Sequence, residues 1–483
     1  MQIFLYILGA VVAAVVALLL VAVIRAAAIK AKPNTNKSEI SYTKQEEAEY
    51  ASKLSEMIKV PTISLRGQDD LTQFRILQDK MKEMFPLVHE KMERVDIDGN
   101  LLYRWKSAHP ERDGLLLMGH QDVVTATEKE WEHDPFSGDI ENGIIHGRGA
   151  MDCKCTVMAE FQAIEELIKE GYEPERDIYL ASSVNEEISG GGAIKTVEYL
   201  KSQGKRLVAV MDEGGAVLAD AFPGLKGYIS AIGIVEKGYA DIKITAKGNG
   251  GHSSTPPKNT PVARLAAFVN EMETKRPFDK KLGGPVKAMF TTIAPHLSFP
   301  LRLVLGNLWL FKPVVIKVLP ALSSFGEAFL STTFAFTMCE GSQTPNVIPD
   351  QAYVICNIRP SIHQNSEQSV EIIKKIAAKY DLEVEVIYSR DASGIVDING
   401  DEFKYMVDCA NKCYPDAIPT PYFMFGGTDC RYYEEVSDNC LRICPIRLSQ
   451  QQLKAMHAAN ENINTSALAE SVKFYKHYVK NHS

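Results

Sequence analysis

The sequence predicts an α/β protein with a mixed sheet, interrupted by a smaller α+β unit and preceded by one transmembrane helix. Three observations carry this reading. Ile3 to Ile24 holds no charged residue and is almost wholly apolar. From Lys44 to about residue 236, short apolar runs alternate with amphipathic helical patterns, the rhythm of a sheet covered by helices. From Lys237 the rhythm changes to alternating strands with two helices, which marks a second unit. At 483 residues the chain exceeds one ordinary core, since domains run to roughly 150 residues.

About 20 residues at ~1.5 Å rise cross a bilayer core, so residues 1–31 are expected to be a membrane anchor and its flank. A cleaved signal peptide is the rival, with Ala26-Ala27-Ala28 as its processing site. Its apolar core would be only about 7 to 15 residues long and would follow a basic region, which is missing here. Arg25, Lys30, Lys32 and Lys37 all follow the span. The positive-inside rule then puts the body in the cytoplasm, with an extracytoplasmic body as the alternative. Residues 32–43, rich in polar residues and carrying Pro33, read as a linker.

The first part of the main unit, 44–236, opens with a helix over Lys44 to Ile58. Leu115 to Met118 reads as a buried strand, Cys155 to Glu170 as an amphipathic helix, and Ile178 to Val184 and Leu207 to Met211 as further strands. The inserted unit, 237–392, carries strands Tyr239 to Ala246 and Tyr353 to Ile358, with helices Pro261 to Glu273 and Ser366 to Lys379. The main unit resumes over 393–483 and closes with a helix near Thr465 to Val479.

A formal net charge of −8 without a basic cluster excludes a general nucleic-acid binder. Nine cysteines spread through a long chain are unlike the dense framework of a small secreted domain and read mainly as free thiols.

Four segments carry the chemistry. Gly119-His120-Gln121-Asp122 leaves an apolar strand, and the two-residue period of extended chain sends His120 and Asp122 to one side. His120 is then a candidate metal ligand and Asp122 the carboxylate that orients its ring. Asp152 sits just before a helix, where an N-terminal cap is the plainer role. Glu186-Glu187 and Asp212-Glu213 each end an apolar strand and precede glycines. Acids at strand ends are often merely solvated, but these share the carboxyl edge at which open α/β sheets gather ligands. Carboxylate and imidazole donors suit Zn²⁺ better than a thiolate site does. Cys153 and Cys155 lack a second Cys-x-x-Cys partner and read as packing residues.

His120-x-Asp122, Asp152, Glu186-Glu187, Asp212 and a late His457, in that order, resemble the family of aminoacylases, carboxypeptidase G and succinyl-diaminopimelate desuccinylase. The resemblance covers about residues 45 to 480. Gly119 to Val124 and Asn307-Leu308-Trp309-Leu310-Phe311 look closest to carboxypeptidase S and the N-fatty-acyl amino acid hydrolases. It implies a zinc-exopeptidase-like catalytic domain with an inserted lid and dimerisation domain. It also implies two Zn²⁺, with Co²⁺ or Mn²⁺ as substitutes. Asp152 would bridge the pair, His120 and Asp212 would complete one site and Glu187 and His457 the other, with Glu186 as general base. His252 in Gly251-His252-Ser253-Ser254 matches a lid histidine that helps stabilise the oxyanion, often from a partner subunit. Asn346, Arg359 and the loop Gly426-Gly427-Thr428-Asp429 match substrate-binding positions. Arg359 is suited to a free α-carboxylate. The plain alternatives are an incidental histidine, a surface ion pair and an ordinary turn. The implied substrate is a short peptide or an N-acyl amino acid, with a possible homodimer through the lid.

Residues 285–330 add an apolar stretch in which Arg302, Lys312, Pro313 and Pro320 argue against a second span. It is expected to line a greasy substrate channel or to touch the bilayer. A dipeptidase or aminopeptidase of the same family is one alternative, and a membrane-tethered binding protein on an inactive hydrolase fold is the competing class. The presence of every expected ligand and of the base disfavours it. Neither Gly-x-Ser-x-Gly nor His-Glu-x-x-His occurs.

Overall fold

The strand expected at Leu115 to Met118 runs from Gly114 to His120, and all of it is buried. Leu115 and Leu117 enter the core on one face of the sheet, Leu116 and Met118 the core on the other. Both faces are covered, as a central strand with no polar alternation requires. In the computed structural model, which describes residues 1–31, 34–68, 70–127 and 129–482 and of Ser324 only the backbone, this strand lies inside a ten-stranded mixed sheet.

It pairs in parallel with Ile178–Ser183 on one side and Leu207–Asp212 on the other. His120 is in register with Ser183, so these strands end along one edge. The antiparallel hairpin Glu93–Ile97 and Asn100–Trp105 joins beyond Ile178–Ser183. From the far end of the chain, Cys440–Arg442 pairs with Leu207–Asp212 and Ala417–Met424 with Tyr228–Glu236. Helix Lys44–Ile58 starts at a capping box in which Thr43 and Glu46 satisfy each other's backbone amides. It packs with Lys154–Lys169 and Thr465–Lys480 on one face, and Gly192–Ser202 covers the other.

A second, antiparallel sheet orders Thr333–Glu340, Gln351–Arg359, Tyr239–Lys247 and Glu383–Arg390. Helices Pro261–Lys275 and Ser366–Ala377 close its own core around Ile242, Phe268, Cys356 and Ile373. One part of the 237–392 segment lies elsewhere. Val286, Met289, Phe290, Leu308, Val315 and Phe329 join the large core, and helix Gly284–Ile293 lies on Ala417–Met424. The apolar stretch therefore belongs to the body under the large sheet, because that sheet offers the contiguous apolar surface.

Of the 32–43 linker, Lys32 and Pro33 lie outside the described residues. The remainder is pinned: Ser38 Oγ donates to the Cys413 carbonyl at 2.8 Å, and the Glu39 amide to that of Lys412 at 2.9 Å. Helix Gln2–Ala28 is exposed along almost its whole length, with only Ala22 and Ala26 buried. It is long and apolar enough to cross a membrane or to serve as a signal sequence. All nine cysteines are free.

Candidate metal centre and active site

Asp152 stands at the middle of the site. Its Oδ1 lies 3.0 Å from His120 Nε2 and its Oδ2 2.9 Å from His457 Nε2. Each histidine meets one further carboxylate. Glu187 Oε2 is 3.2 Å from His457 Nε2, and Glu213 Oε1 is 3.5 Å from His120 Nε2. Two overlapping groups of donors result, both capable of holding a cation and both containing Asp152.

Asp212, expected as a ligand, belongs to neither donor group. Its Oδ1 accepts the Glu213 amide and its Oδ2 the Cys430 amide, both at 2.8 Å. Each oxygen thus takes one backbone amide, and the next residue, leading into a left-handed Gly214, turns its carboxylate to His120. Strand pattern alone left the Asp212-Glu213 pair undivided.

Asp122 does more than face the ring of His120. His120 Nδ1 lies 2.8 Å from the Asp122 carbonyl, which leaves Nε2 free to act as a donor to a cation. The Asp122 carboxylate accepts the amides of Glu186 and Glu187 at 3.1 Å each and the Ser64 hydroxyl at 2.6 Å. It therefore fixes the turn that presents both glutamates.

Glu461, which sequence reading missed, does the same for Asp152. Its Oε1 accepts the amides of Gly149, Met151 and Asp152, and its Oε2 sits 2.7 Å from Arg148 Nη1. Because Glu461 follows His457 by four residues, it ties the two distant segments of the site together. No motif flagged it, since a lone glutamate near the C-terminus has no pattern. Glu461→Gln is expected to weaken metal affinity roughly 10- to 100-fold, as for other groups that orient ligands. Competition with a chromogenic chelator measures it, and unchanged affinity would contradict the role.

The electrostatics fit a cation. Burial, then the charge of Asp152, pushes Glu187 and Glu213 above the usual carboxylate range. Hydrogen bonds to Asp152 and then Glu187 raise His457 to about 10. Burial opposes ionisation of Asp152, but His120 and His457 hold it well below its ordinary value. Glu187 Oε1 is buried without a hydrogen-bond partner. Closely packed carboxylates with an orphaned oxygen make a pocket that positive charge would stabilise. Burial likewise raises Glu186 well above its ordinary range. Glu186 belongs to neither donor group. Cys153 belongs to the His120 group by position, yet its sulfur accepts the His120 amide at 3.1 Å and burial pushes its thiol up.

The expected substrate residues scatter. His252 lies on an exposed two-stranded ladder with Val347, and Asn346 adjoins its end, where the Ser253 amide donates to the Asn346 carbonyl. Neither belongs to the donor groups within one chain. Arg359 stacks on Tyr239 at 4.6 Å and has no carboxylate within 4.0 Å among the described residues. A β-carbon on Gly427 would lie 2.6 Å from Arg390 Nη2, the movable end of a long side chain, so the loop passes close to that guanidinium. Thr428, expected as a substrate contact, has a partner within the chain. It is buried, and its hydroxyl donates to Glu236, which also binds Arg442 and Arg431.

Residues 116–481 match the model of Peptidase family M20/M25/M40. The chain belongs to that family. It is 31% identical over 464 residues to the N-fatty-acyl-amino acid synthase/hydrolase PM20D1 of Mus musculus, covering 94% of this chain and 92% of that protein. It is 28% identical over 487 residues to carboxypeptidase S of Saccharomyces cerevisiae, covering 89% and 83%. In fold it is similar to the M20 family metallo-carboxypeptidase Sso-CP2 of Sulfolobus solfataricus, with a TM-score of 0.65 at 20% identity over 89% of this chain and 98% of that one. The M20 chain is therefore an enzyme of the metallopeptidase and amidohydrolase class, and its His, Asp and Glu groups can bind metal.

Proposed function

We propose that this enzyme hydrolyses an amide bond next to a free α-carboxylate, using two divalent cations, Zn²⁺ in the native protein. Asp152 would bridge them, with His120 and Glu213 on one side and Glu187 and His457 on the other. The observation that carries the reading is the division of Asp152, whose two oxygens address two histidines from opposite ends of the chain. When bound, such a pair polarises a carbonyl and makes water acidic enough to act as nucleophile near neutral pH. Glu186, held by Asp122 through its backbone, takes the proton from that water. As the C–N bond breaks, Glu186 returns the proton to the departing nitrogen, leaving a carboxylic acid and a free amine.

Arg359 is the group proposed to hold the α-carboxylate, because its guanidinium is stacked and lacks a carboxylate partner among the described residues. Arg359→Ala should raise KM roughly 10- to 100-fold with little change in kcat, the effect of losing a charged hydrogen bond. An unchanged KM would remove it from recognition. Asn346 and His252 are assigned to substrate and oxyanion, reaching the site of a partner chain in a homodimer built on the four-stranded sheet. The exposed Val386, Ile387 and Tyr388 on an edge strand of that sheet support this assembly.

An acyl group is assigned in preference to a second amino acid, with an aromatic cluster adjoining the glycine loop as its proposed contact. Phe425 packs on Phe329 at 4.8 Å and on Phe325 at 6.0 Å, next to Gly426 and Gly427. The name of the mouse relative supports the same class. N-acetyl, N-oleoyl and Gly-Xaa substrates, each with a free and an amidated carboxyl group, test the proposal. Preference for the oleoyl compound and rejection of the amidated forms are expected. Equal cleavage of amidated substrates would sink the carboxylate assignment. The enzyme is proposed to stay anchored by Gln2–Ala28 with its body on the cytoplasmic side, where Arg25 and Lys30 lie.

A further inference from the structure

We infer that the helical hairpin Phe299–Leu305 and Leu308–Leu322 is a membrane-docking surface, seated in the headgroup region of an anionic bilayer beside the N-terminal helix. The inference rests on Gln2–Ala28 being a retained span. The two hairpin helices meet at 102°. The longer one, at ~1.5 Å per residue, reaches only about 22 Å, too short for a ~30 Å hydrocarbon core. It contains Pro313, Pro320, Lys312 and Lys317, so lying along the surface suits it better than crossing.

The corner of the hairpin holds the N-terminal helix at a defined depth. Asn307 is fully buried, and its Nδ2 donates to the Ala22 carbonyl at 3.0 Å and to that of Leu303 at 2.9 Å. Arg302 Nη1 donates to the Ile29 carbonyl at 3.0 Å. Ala22 lies about 20 residues into the helix, hence ~30 Å from its start, one hydrocarbon thickness. The hairpin is thus attached where a span would emerge from the bilayer.

What the hairpin shows to solvent fits that position. Val315 and Leu308 point into the large core, whereas Trp309 is 50% exposed, Leu322 72% and Phe325 66%, with Val314 and Val318 between them. Trp309 is amphipathic, its indole N–H bonded to Asn307 Oδ1 at 3.1 Å, as interfacial tryptophans are. From residue 280 to 326 the sequence has no Asp or Glu but has Lys280, Lys281, Lys287, Arg302, Lys312 and Lys317. In a chain of net charge −8 this is a local reversal, complementary to acidic headgroups over which lysines can extend.

The test uses the full chain reconstituted in liposomes of phosphatidylcholine with a minor share of phosphatidylglycerol. Of the three tryptophans, Trp309 is isolated by subtracting the spectrum of Trp309→Phe. Lipids spin-labelled near the carbonyl should quench the Trp309 signal at least twofold, and lipids labelled near the terminal methyl should quench it less. The double variant Val314→Asp with Val318→Asp should abolish the quenching while the chain still resists alkaline extraction. Unquenched Trp309 in a chain that resists extraction would overturn the inference. So would a dimer that the double variant dissolves while Trp309 stays unquenched, which would give the face to a second copy. Alkaline release of the unmodified chain would instead defeat the retained span, and the inference with it.

Discussion

Glu186→Gln should retain both metals and lose about 10²- to 10⁴-fold in kcat, the range for removing a general base. The residue lies outside both donor groups, so its replacement leaves the cation ligands in place. Its backbone amide is held by Asp122 Oδ1, and a glutamine keeps that anchor and the side-chain volume. Only the proton acceptor is lost. Because that proton moves in the transition state, kcat and kcat/KM should fall together. Metal content measured on the same preparation separates this from a ligand defect. Retention of full activity, or loss of a cation, would place the base elsewhere.

The second large effect divides the adjacent acids at the end of Leu207–Asp212. Glu213→Ala should lose one of the two cations and nearly all turnover, because His120 and Asp152 alone offer too few protein donors for a zinc site. Asp212→Asn should keep both cations. It should instead cost about 1 to 3 kcal/mol of stability, since the amide side chain cannot accept both the Glu213 and Cys430 amides. Metal analysis and thermal unfolding of the two variants check this. The reverse pattern, with Asp212→Asn demetallated and Glu213→Ala intact, would restore Asp212 as the ligand.

Strong local periodicity makes much of the fold legible in the sequence. The strand at Leu115 to Met118 and the helix at Lys44 to Ile58 fall where their patterns place them. The common strand-end address anticipates a shared site for His120 and Glu187, while Asp152 and His457 enter it through the family resemblance; the structure brings the four together. What stayed hidden depends on contacts between distant segments. Glu213 rather than Asp212 lies beside His120, and Asp212 instead accepts the Cys430 amide, more than two hundred residues away in sequence. Glu461 matters only because residues 148–152 fold back onto it. The apolar stretch after Pro285 reads as part of the inserted unit, although Val286, Met289, Phe290, Leu308 and Val315 join the core of the large sheet.

The central claim is a pair of cations shared by Asp152, and one titration tests it most directly. The purified full-length chain is stripped with a chelator, then Zn²⁺ is returned in steps while bound metal and release of amino acid from an N-acyl substrate are followed together. Two equivalents should bind, activity should reach its plateau only as the second is filled, and Asp152→Ala should bind neither tightly. Full activity with one equivalent, or turnover in the stripped protein, would contradict it.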